Sequence, residues 1–404
     1  MANSNLTDAK KAKNDEFYTQ YADIQKEIGA YLMYDPDTFR DKVVYCNCDD
    51  PFESNFFKYF VLNFKRLGLK KLITTSYKPS PIANTQLALI GDDRILESEK
   101  GRPKQTANKF IISEVSDYDE DGQFNLEDVA KQLKENKNNE WTSLKGDGDF
   151  RSQECIELLK QSDIVVTNPP FSLYREYVAQ LIEHDKKFVI IGSKNTITYK
   201  EIFPLIKENK LWVGTSSFSK DILFIAPKNA DLSDKPKTAV RVVDGVKYLR
   251  SPSVWFTNLD HGRRHQPLQL MTTADNLKFN KKMKGRTAYD RYDNYNAIEV
   301  PFTDAIPSDY NGLMGVPISF LDKYSPEQFE ILAITKTWFG FANKIYPQQI
   351  QVSKDGKESK VSKLNDGVTI KLDEPTPGKT YYKVDGNCYE QMYARIIIRH
   401  KEAI

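Results

Sequence analysis

The nine residues Asp163-Ile164-Val165-Val166-Thr167-Asn168-Pro169-Pro170-Phe171 fall into two parts of opposite character. Ile164, Val165 and Val166 are a short β-branched apolar run, which predicts a buried strand. Asn168 and the two prolines end that strand abruptly. A polar group is thereby held at the carboxyl end of a strand, where open α/β sheets keep their ligands. Each proline fixes its own φ and biases the residue before it toward extended geometry, so the Asn168 side chain and the neighbouring carbonyls are placed rigidly. Phe171 sets an aromatic face beside them. Rigid acceptors next to an aromatic ring suit a planar base that carries an amino group.

Outward from this stretch the pattern is that of a parallel α/β unit. Residues 152–161 read as a helix before the strand, 173–184 as an amphipathic helix after it, and 188–192 as another buried strand. Further upstream, a helix is predicted over 21–33, a first core strand over Val43–Cys46, a helix over 56–67 and a second strand over 71–76. Between them, residues 78–145 form a long, charge-rich insert with apolar patches at 109–115 and 126–133, a length that is functional or irregular in most proteins. Residues 1–13 are polar, lysine-rich and without periodicity, the pattern of a flexible tail. The expected domains are a catalytic one over 14–260 and a second region over 261–404.

Four companion motifs stand in a recognisable order. Glu16-Phe17-Tyr18-Thr19 lies upstream and Tyr45-Cys46-Asn47-Cys48-Asp49-Asp50-Pro51 follows the first strand. Gly146-Asp147-Gly148-Asp149-Phe150 precedes the central stretch, and Val254-Trp255-Phe256-Thr257-Asn258-Leu259-Asp260-His261 comes after it. Asn168-Pro169-Pro170-Phe171 matches the catalytic motif of amino-group methyltransferases that use S-adenosylmethionine. With its companions, from about Lys11 to the region of Phe329, the chain resembles the EcoRI-type adenine-specific (N6) DNA methyltransferases.

The resemblance implies a class I methyltransferase fold, Rossmann-like, with a mostly parallel sheet finished by an antiparallel terminal hairpin and followed by a C-terminal target-recognition region. Residues 211–213 and 222–226 resemble that hairpin, with 254–258 as a further strand at its edge. It also implies site-specific methyl transfer from S-adenosylmethionine, leaving S-adenosylhomocysteine, to the N6 amine of a flipped-out adenine in double-stranded DNA, with no metal. The carried-over roles are catalysis for Asn168, Pro169, Pro170 and Phe171, and cofactor binding for Phe17, Tyr18, Thr19, Asn47, Asp49, Asp149, Phe150 and Asn168. Phe171, Trp255 and Phe256 would line the base pocket. One departure stands out. The turn after the first strand, 47–55, has no glycine, although a backbone without Cβ is what lets the cofactor approach in most class I enzymes. The second strand also lacks the acidic residue that holds the ribose in many relatives.

The 404 residues are enough for a large domain plus a second. There is no apolar run near bilayer length and no signal-peptide pattern, so a soluble, cytoplasmic protein is expected, in a prokaryotic or phage-infected cell. The four cysteines, at 46, 48, 155 and 388, form no CxxC pair or disulfide framework. Net charge is only +2, but between Lys247 and Arg291 ten Lys or Arg face three Asp. That patch can cover several phosphates. Arg263, Arg264, Lys281, Lys282, Lys284, Arg286 and Arg291 are the candidate DNA contacts, and Tyr289, Tyr292 and Tyr295, interleaved with charge, suit base stacking. His261 and His265 read as polar loop residues. A cognate restriction endonuclease and a monomeric state are both compatible with this reading. Two other uses of the motif stay open, an RNA base methyltransferase and a protein glutamine N-methyltransferase, as does a catalytically inactive DNA-binding relative. The missing glycine-rich turn weighs against the glutamine enzyme, and the intact residues 168–171 weigh against decay.

Overall fold

The structure is a computed structural model that describes residues 17–48, 54–77, 107–117, 128–129, 138–226, 232–233 and 235–401. The chain divides into two compact units: Met1–Lys194 with Trp212–Gly262, and Asn195–Leu211 with Arg263–Ile404. Along the first unit run α1 (Tyr21–Tyr34), β1 (Val43–Cys46), α2 (Asn55–Leu62), α3 (Phe64–Leu67), β2 (Lys71–Thr75), β3 (Asn108–Ile112), β4 (Glu140–Ser143), α4 (Gln153–Gln161), β5 (Ile164–Thr167), α5 (Tyr174–Glu183) and β6 (Lys187–Ser193). After α6 (Phe203–Lys207), which lies in the second unit, come β7 (Trp212–Val213), β8 (Ile222–Ile225), β9 (Val240–Val243), β10 (Val246–Ser251) and β11 (Ser253–Thr257).

Among the described residues the first unit is built on an eight-stranded sheet of order β4-β3-β2-β1-β5-β6-β11-β7. Its centre, β2-β1-β5-β6, is parallel. Strands β1 and β5 are buried at every position, as a parallel strand covered on both faces requires. The insert contributes to the edge: β3 pairs antiparallel with β2, and β4 with β3. Helix α1 packs through Ile24, Glu27, Ile28 and Tyr31, one face at a spacing of three and four.

Two sequence expectations are corrected. The helix predicted over 56–67 is two helices, broken at Asn63, whose side-chain amide donates to the Tyr59 carbonyl at 2.8 Å and so competes with the helical ladder. The strand partners at the end of the sheet also differ. Strand β11 sits inside it, antiparallel to both β6 and β7, whereas β8 leaves it for a three-stranded sheet of order β8-β10-β9. The reason is burial. Every residue of β11 is buried, as an interior strand needs, while β8 alternates buried and half-buried and suits a sheet covered on one face.

The second unit continues with α7 (Thr273–Phe279), β12 (Ile298–Glu299), β13 (Met314–Pro317), β14 (Phe329–Ile334), β15 (Gln349–Val352), β16 (Glu358–Val361), β17 (Val368–Leu372), β18 (Tyr381–Val384), β19 (Asn387–Met392) and β20 (Arg395–His400). These strands form a four-stranded sheet, β12-β13-β20-β14, and a five-stranded one, β16-β15-β18-β19-β17. Tyr292 and Tyr295, read from the sequence as stacking residues, are 7% and 2% exposed and belong to the core of this unit. Here the sequence pattern misled because interleaved charge marks alternate faces of a segment, not its exposure. No helix among the described residues is long and apolar enough to cross a membrane.

A buried ion pair ties β12 to β20. Arg395 Nη2 donates to Glu299 Oε1 at 2.7 Å and Nε to both carboxylate oxygens, while the Tyr292 hydroxyl donates to Oε2. Removing one partner strands the other charge away from water. Arg395→Ala should therefore destabilise the protein by about 3–5 kcal/mol in urea unfolding, and joint replacement of Glu299 and Arg395 by apolar residues of similar size should recover most of that loss.

Candidate active site

Strand β5 delivers Asn168 and Pro169 at its carboxyl end, and Phe171 opens a short 3-10 turn that runs directly into α5. Asn168 is partly buried. Its side-chain Nδ2 donates to the main-chain carbonyl of Phe17 at 3.1 Å. A carbonyl can face only the amide's nitrogen, so Oδ1 must point the other way. That oxygen is buried and has no hydrogen-bond partner among the described residues. An unpaired buried acceptor costs about 1–3 kcal/mol, a penalty that a donor on a bound molecule would remove.

The carbonyl that orients Asn168 is itself fixed. Tyr18 forms a two-way backbone bridge with Ile225 of β8, both bonds 2.9 Å, and the Gln20 amide reaches the Leu223 carbonyl at 2.6 Å. Asn55, the first residue of α2, donates to the Thr19 carbonyl at 2.8 Å. Between the two segments stands Phe224, 2% exposed. Its ring centroid is 6.5 Å from that of Phe17 and 6.5 Å from that of Phe171, the latter at 72°. One buried ring thus packs against the aromatic of the upstream motif and the aromatic of the catalytic motif. The sequence marked residues 222–226 only as a strand, so Phe224 was missed; no spacing signal separates it from an ordinary core aromatic.

Thr19 is 3% exposed, and its hydroxyl is a second buried polar atom without a partner among the described residues. Asn47 is also buried, but its two oxygens are occupied. Its side-chain oxygen accepts from the Tyr177 hydroxyl and its carbonyl from the Thr167 hydroxyl, so it ties the end of β1 to α5 and to the end of β5. The next residue, Cys48, has φ 66°. A non-glycine residue makes the left-handed turn at this point, which is how the chain leaves β1 without the expected glycines. Asp49 lies outside the described residues.

The Gly146–Phe150 turn packs against the end of β2. A Cβ on Gly148, φ +81°, would lie 2.0 Å from the Ser76 carbonyl oxygen, so only glycine fits. Burial alone would raise the Asp149 carboxyl. Arg151, donating from its backbone N at 2.8 Å, Nε at 3.0 Å and Nη2 at 2.7 Å, holds it below the usual carboxylate value and keeps it charged. Phe150 is 4% exposed and meets Tyr177 edge-on. A buried carboxylate not expected from the sequence braces the same unit. Burial pushes the Glu27 acid up despite donors from Thr215, Ser216 and Tyr31. Its signal was available, since Glu27 interrupts the apolar face of α1.

Several predicted residues do not join the site. Trp255 and Phe256 alternate across β11 at 1% and 0% exposure, packed on Phe56 and Tyr174, so in this structure they are core aromatics. Arg264 is 6% exposed with its guanidinium on Asn209, which corrects its reading as a DNA contact. His261 lies in the loop after β11, as read from the sequence, and is buried against Tyr31. Of the other cations, Arg263 reaches Asp322 at 3.4 Å, Lys282 reaches Asp304 at 2.8 Å and Arg286 pairs with Asp290. Lys281, Lys284 and Arg291 are exposed and make no ion pair among the described residues. A cleft of about 420 Å³ opens at the amino ends of β5 and β6, lined by Lys42, Asp163, Lys186 and Asp260 among others, and none of the candidate residues lies in it.

The strand-end Asn168-Pro169-Pro170-Phe171 thus presents an unpaired acceptor beside an aromatic ring, and comparison with known proteins identifies the class of enzyme that carries it. The chain belongs to the family described as adenine-specific methyltransferase EcoRI, whose model matches residues 5–401. It is 46% identical over 338 residues to the type II methyltransferase M.EcoRI of Escherichia coli, covering 83% of this chain and 90% of that one. It is 36% identical over 325 residues to the type II methyltransferase M.MpnI of Mycoplasma pneumoniae, covering 80% of this chain and 83% of that one. No solved structure matches the chain.

Phe224→Leu keeps the core filled but withdraws the ring that meets Phe17 and Phe171. Methyl transfer should fall by about tenfold, the scale of one to two kcal/mol of misplacement, with cooperative unfolding retained in a thermal melt. Transfer at the wild-type rate would show that Phe224 only fills space.

Proposed function

We propose that the chain transfers a methyl group from S-adenosylmethionine to the N6 amine of an adenine flipped out of double-stranded DNA, as a site-specific modification enzyme. The observation that carries this is the unpaired Oδ1 of Asn168, aimed away from the Phe17 carbonyl at the carboxyl end of β5. Membership of the adenine-specific family supports the choice of base.

An exocyclic amine on adenine is a weak nucleophile because its lone pair is delocalised into the ring. Asn168 Oδ1 and the Pro169 carbonyl would each accept one of its N–H groups, favouring the positive charge that develops on nitrogen as it attacks. The rigid Asn168-Pro169-Pro170 backbone presents both acceptors without reorganisation, and Phe171 would stack on the base. When bound, S-adenosylmethionine supplies an electrophilic methyl group. Phe17, Tyr18 and Thr19, with Asn168, are the residues proposed to hold it, and the unpaired Thr19 hydroxyl supports a polar ligand there. Asp149, charged and partly buried, suits an amino group of the cofactor's adenine, with Phe150 beside it. Asn47 would contribute through its fixed backbone and Asp49 through a carboxylate near the cofactor's ammonium.

An adenine inside a duplex cannot reach such a site, and extruding it costs about a few kcal/mol. The second unit is proposed as the part that reads the target sequence. There Lys281, Lys284 and Arg291 are the exposed cations for phosphate contact, joined by Arg263, Lys282 and Arg286 at the cost of their present pairs.

The test is incubation with methyl-labelled S-adenosylmethionine and unmethylated genomic DNA, with modified bases mapped by single-molecule sequencing. N6-methyladenine in one short motif is the expected result; label in RNA or protein alone would transfer the mechanism to another substrate. Asn168→Ala should still bind DNA while losing about 10²–10³ in transfer rate, because the lost bond counts mainly in the transition state.

A further inference from the structure

We infer that the β9–β10 hairpin is a DNA wedge, which enters the duplex beside the extruded adenine and takes up the gap that extrusion leaves. This deepens the proposed function and rests on it. The hairpin turns through Asp244 and Gly245, with φ 49° and 76°. Two consecutive positive φ values make the tight two-residue turn that matches strand twist, so the tip is stiff. At the tip are Val242, Val243 and Val246, 61%, 36% and 40% exposed. Val243 and Val246 pair across the turn on one face and Val242 lies on the other, and these exposed apolar side chains are not explained by the core of this unit.

Charge names the occupant. From Val240 to Ser251 the ribbon carries three Lys or Arg and a single Asp. Arg241, Lys247 and Arg250 on its flanks are exposed and make no ion pair among the described residues. An apolar tip between cations fits a polyanion with stacked apolar planes, in which an aliphatic wedge partly unstacks one base step while the cations meet the flanking phosphates. An apolar protein partner would have no use for those cations.

Register ties the ribbon to the site. Strand β10 pairs with β8 so that Leu249 faces Phe224, the ring packed on Phe17 and Phe171. Val246 is three residues further along β10, on the order of 10 Å at strand rise. Because the backbone bridge from Tyr18 to Ile225 anchors the same sheet, a load on the tip bears on the segment that orients Asn168.

The test uses the full chain and a duplex bearing the motif mapped in genomic DNA, with 2-aminopurine at the target position, whose fluorescence rises on unstacking. In Val242→Ser with Val243→Ser, the fluorescence rise should be lost and transfer to a paired adenine should fall about 10–100-fold, while a mismatched target, already cheap to extrude, recovers to within about threefold. Arg241→Ala and Lys247→Ala should each lower the slope of log affinity against log salt by about 0.9. Thermal melting and S-adenosylmethionine binding should match wild type in every variant, because the tip is exposed. Wild-type flipping and salt slope in these variants would overturn the wedge alone. A wild-type chain that neither methylates DNA nor unstacks the target would overturn the DNA reading and the wedge with it.

Discussion

One hydrogen bond, from the Asn168 amide nitrogen to the Phe17 carbonyl, fixes the chemistry of the whole site. An asparagine side chain presents a donor and an acceptor that look alike in shape, and a half-turn about its last torsion exchanges them. With the nitrogen committed to a main-chain acceptor, the oxygen is left buried and unpaired. The two prolines that follow remove the backbone freedom that would otherwise blur its position. The outcome is an acceptor held in one direction, which is what the proposed transfer needs if little ordering is to remain for the transition state.

That bond depends on keeping residues 17–19 in place, and the chain does so from two sides. The Tyr18 bridge and Gln20 bind the segment to β8, and Asn55 at the start of α2 binds it to the main sheet's helical layer. Phe224 then couples the segment to Phe171 through ring packing. The departure of β8 from the central sheet therefore has a use. Outside the sheet, β8 brings the Phe224 ring to Phe171, just past the carboxyl end of β5.

The turn after β1 solves a different problem. Close approach of a ligand to backbone favours glycine, and this chain has none between Asn47 and Asn55. Cys48 accepts the left-handed conformation, a strain of about 1–3 kcal/mol, and buried Asn47 supplies the bonds that hold it through Tyr177 and Thr167. Asp149 is held charged by Arg151, and Arg151 Nη1 also reaches Glu176 of α5 at 2.9 Å. Helix α5 is thus tied to the ends of both β1 and β5, and to the turn before α4.

The sequence alone determined the local matters. The run 164–166 had to be a buried strand and Asn168 with two prolines had to end it, because these follow from covalent restrictions and local pattern. The alternation of strand and helix about Asn168 gave the parallel centre for the same reason. Only the tertiary structure decided which strand lies inside the sheet, since β8 and β11 are both short and apolar and differ chiefly in how many of their faces are covered. It also decided that Trp255, Phe256, Tyr292, Tyr295 and Arg264 are interior, because exposure is a property of what packs on a residue and not of its type. And it alone supplied Phe17's carbonyl to Asn168, a contact between residues 151 positions apart that no pattern of spacing encodes.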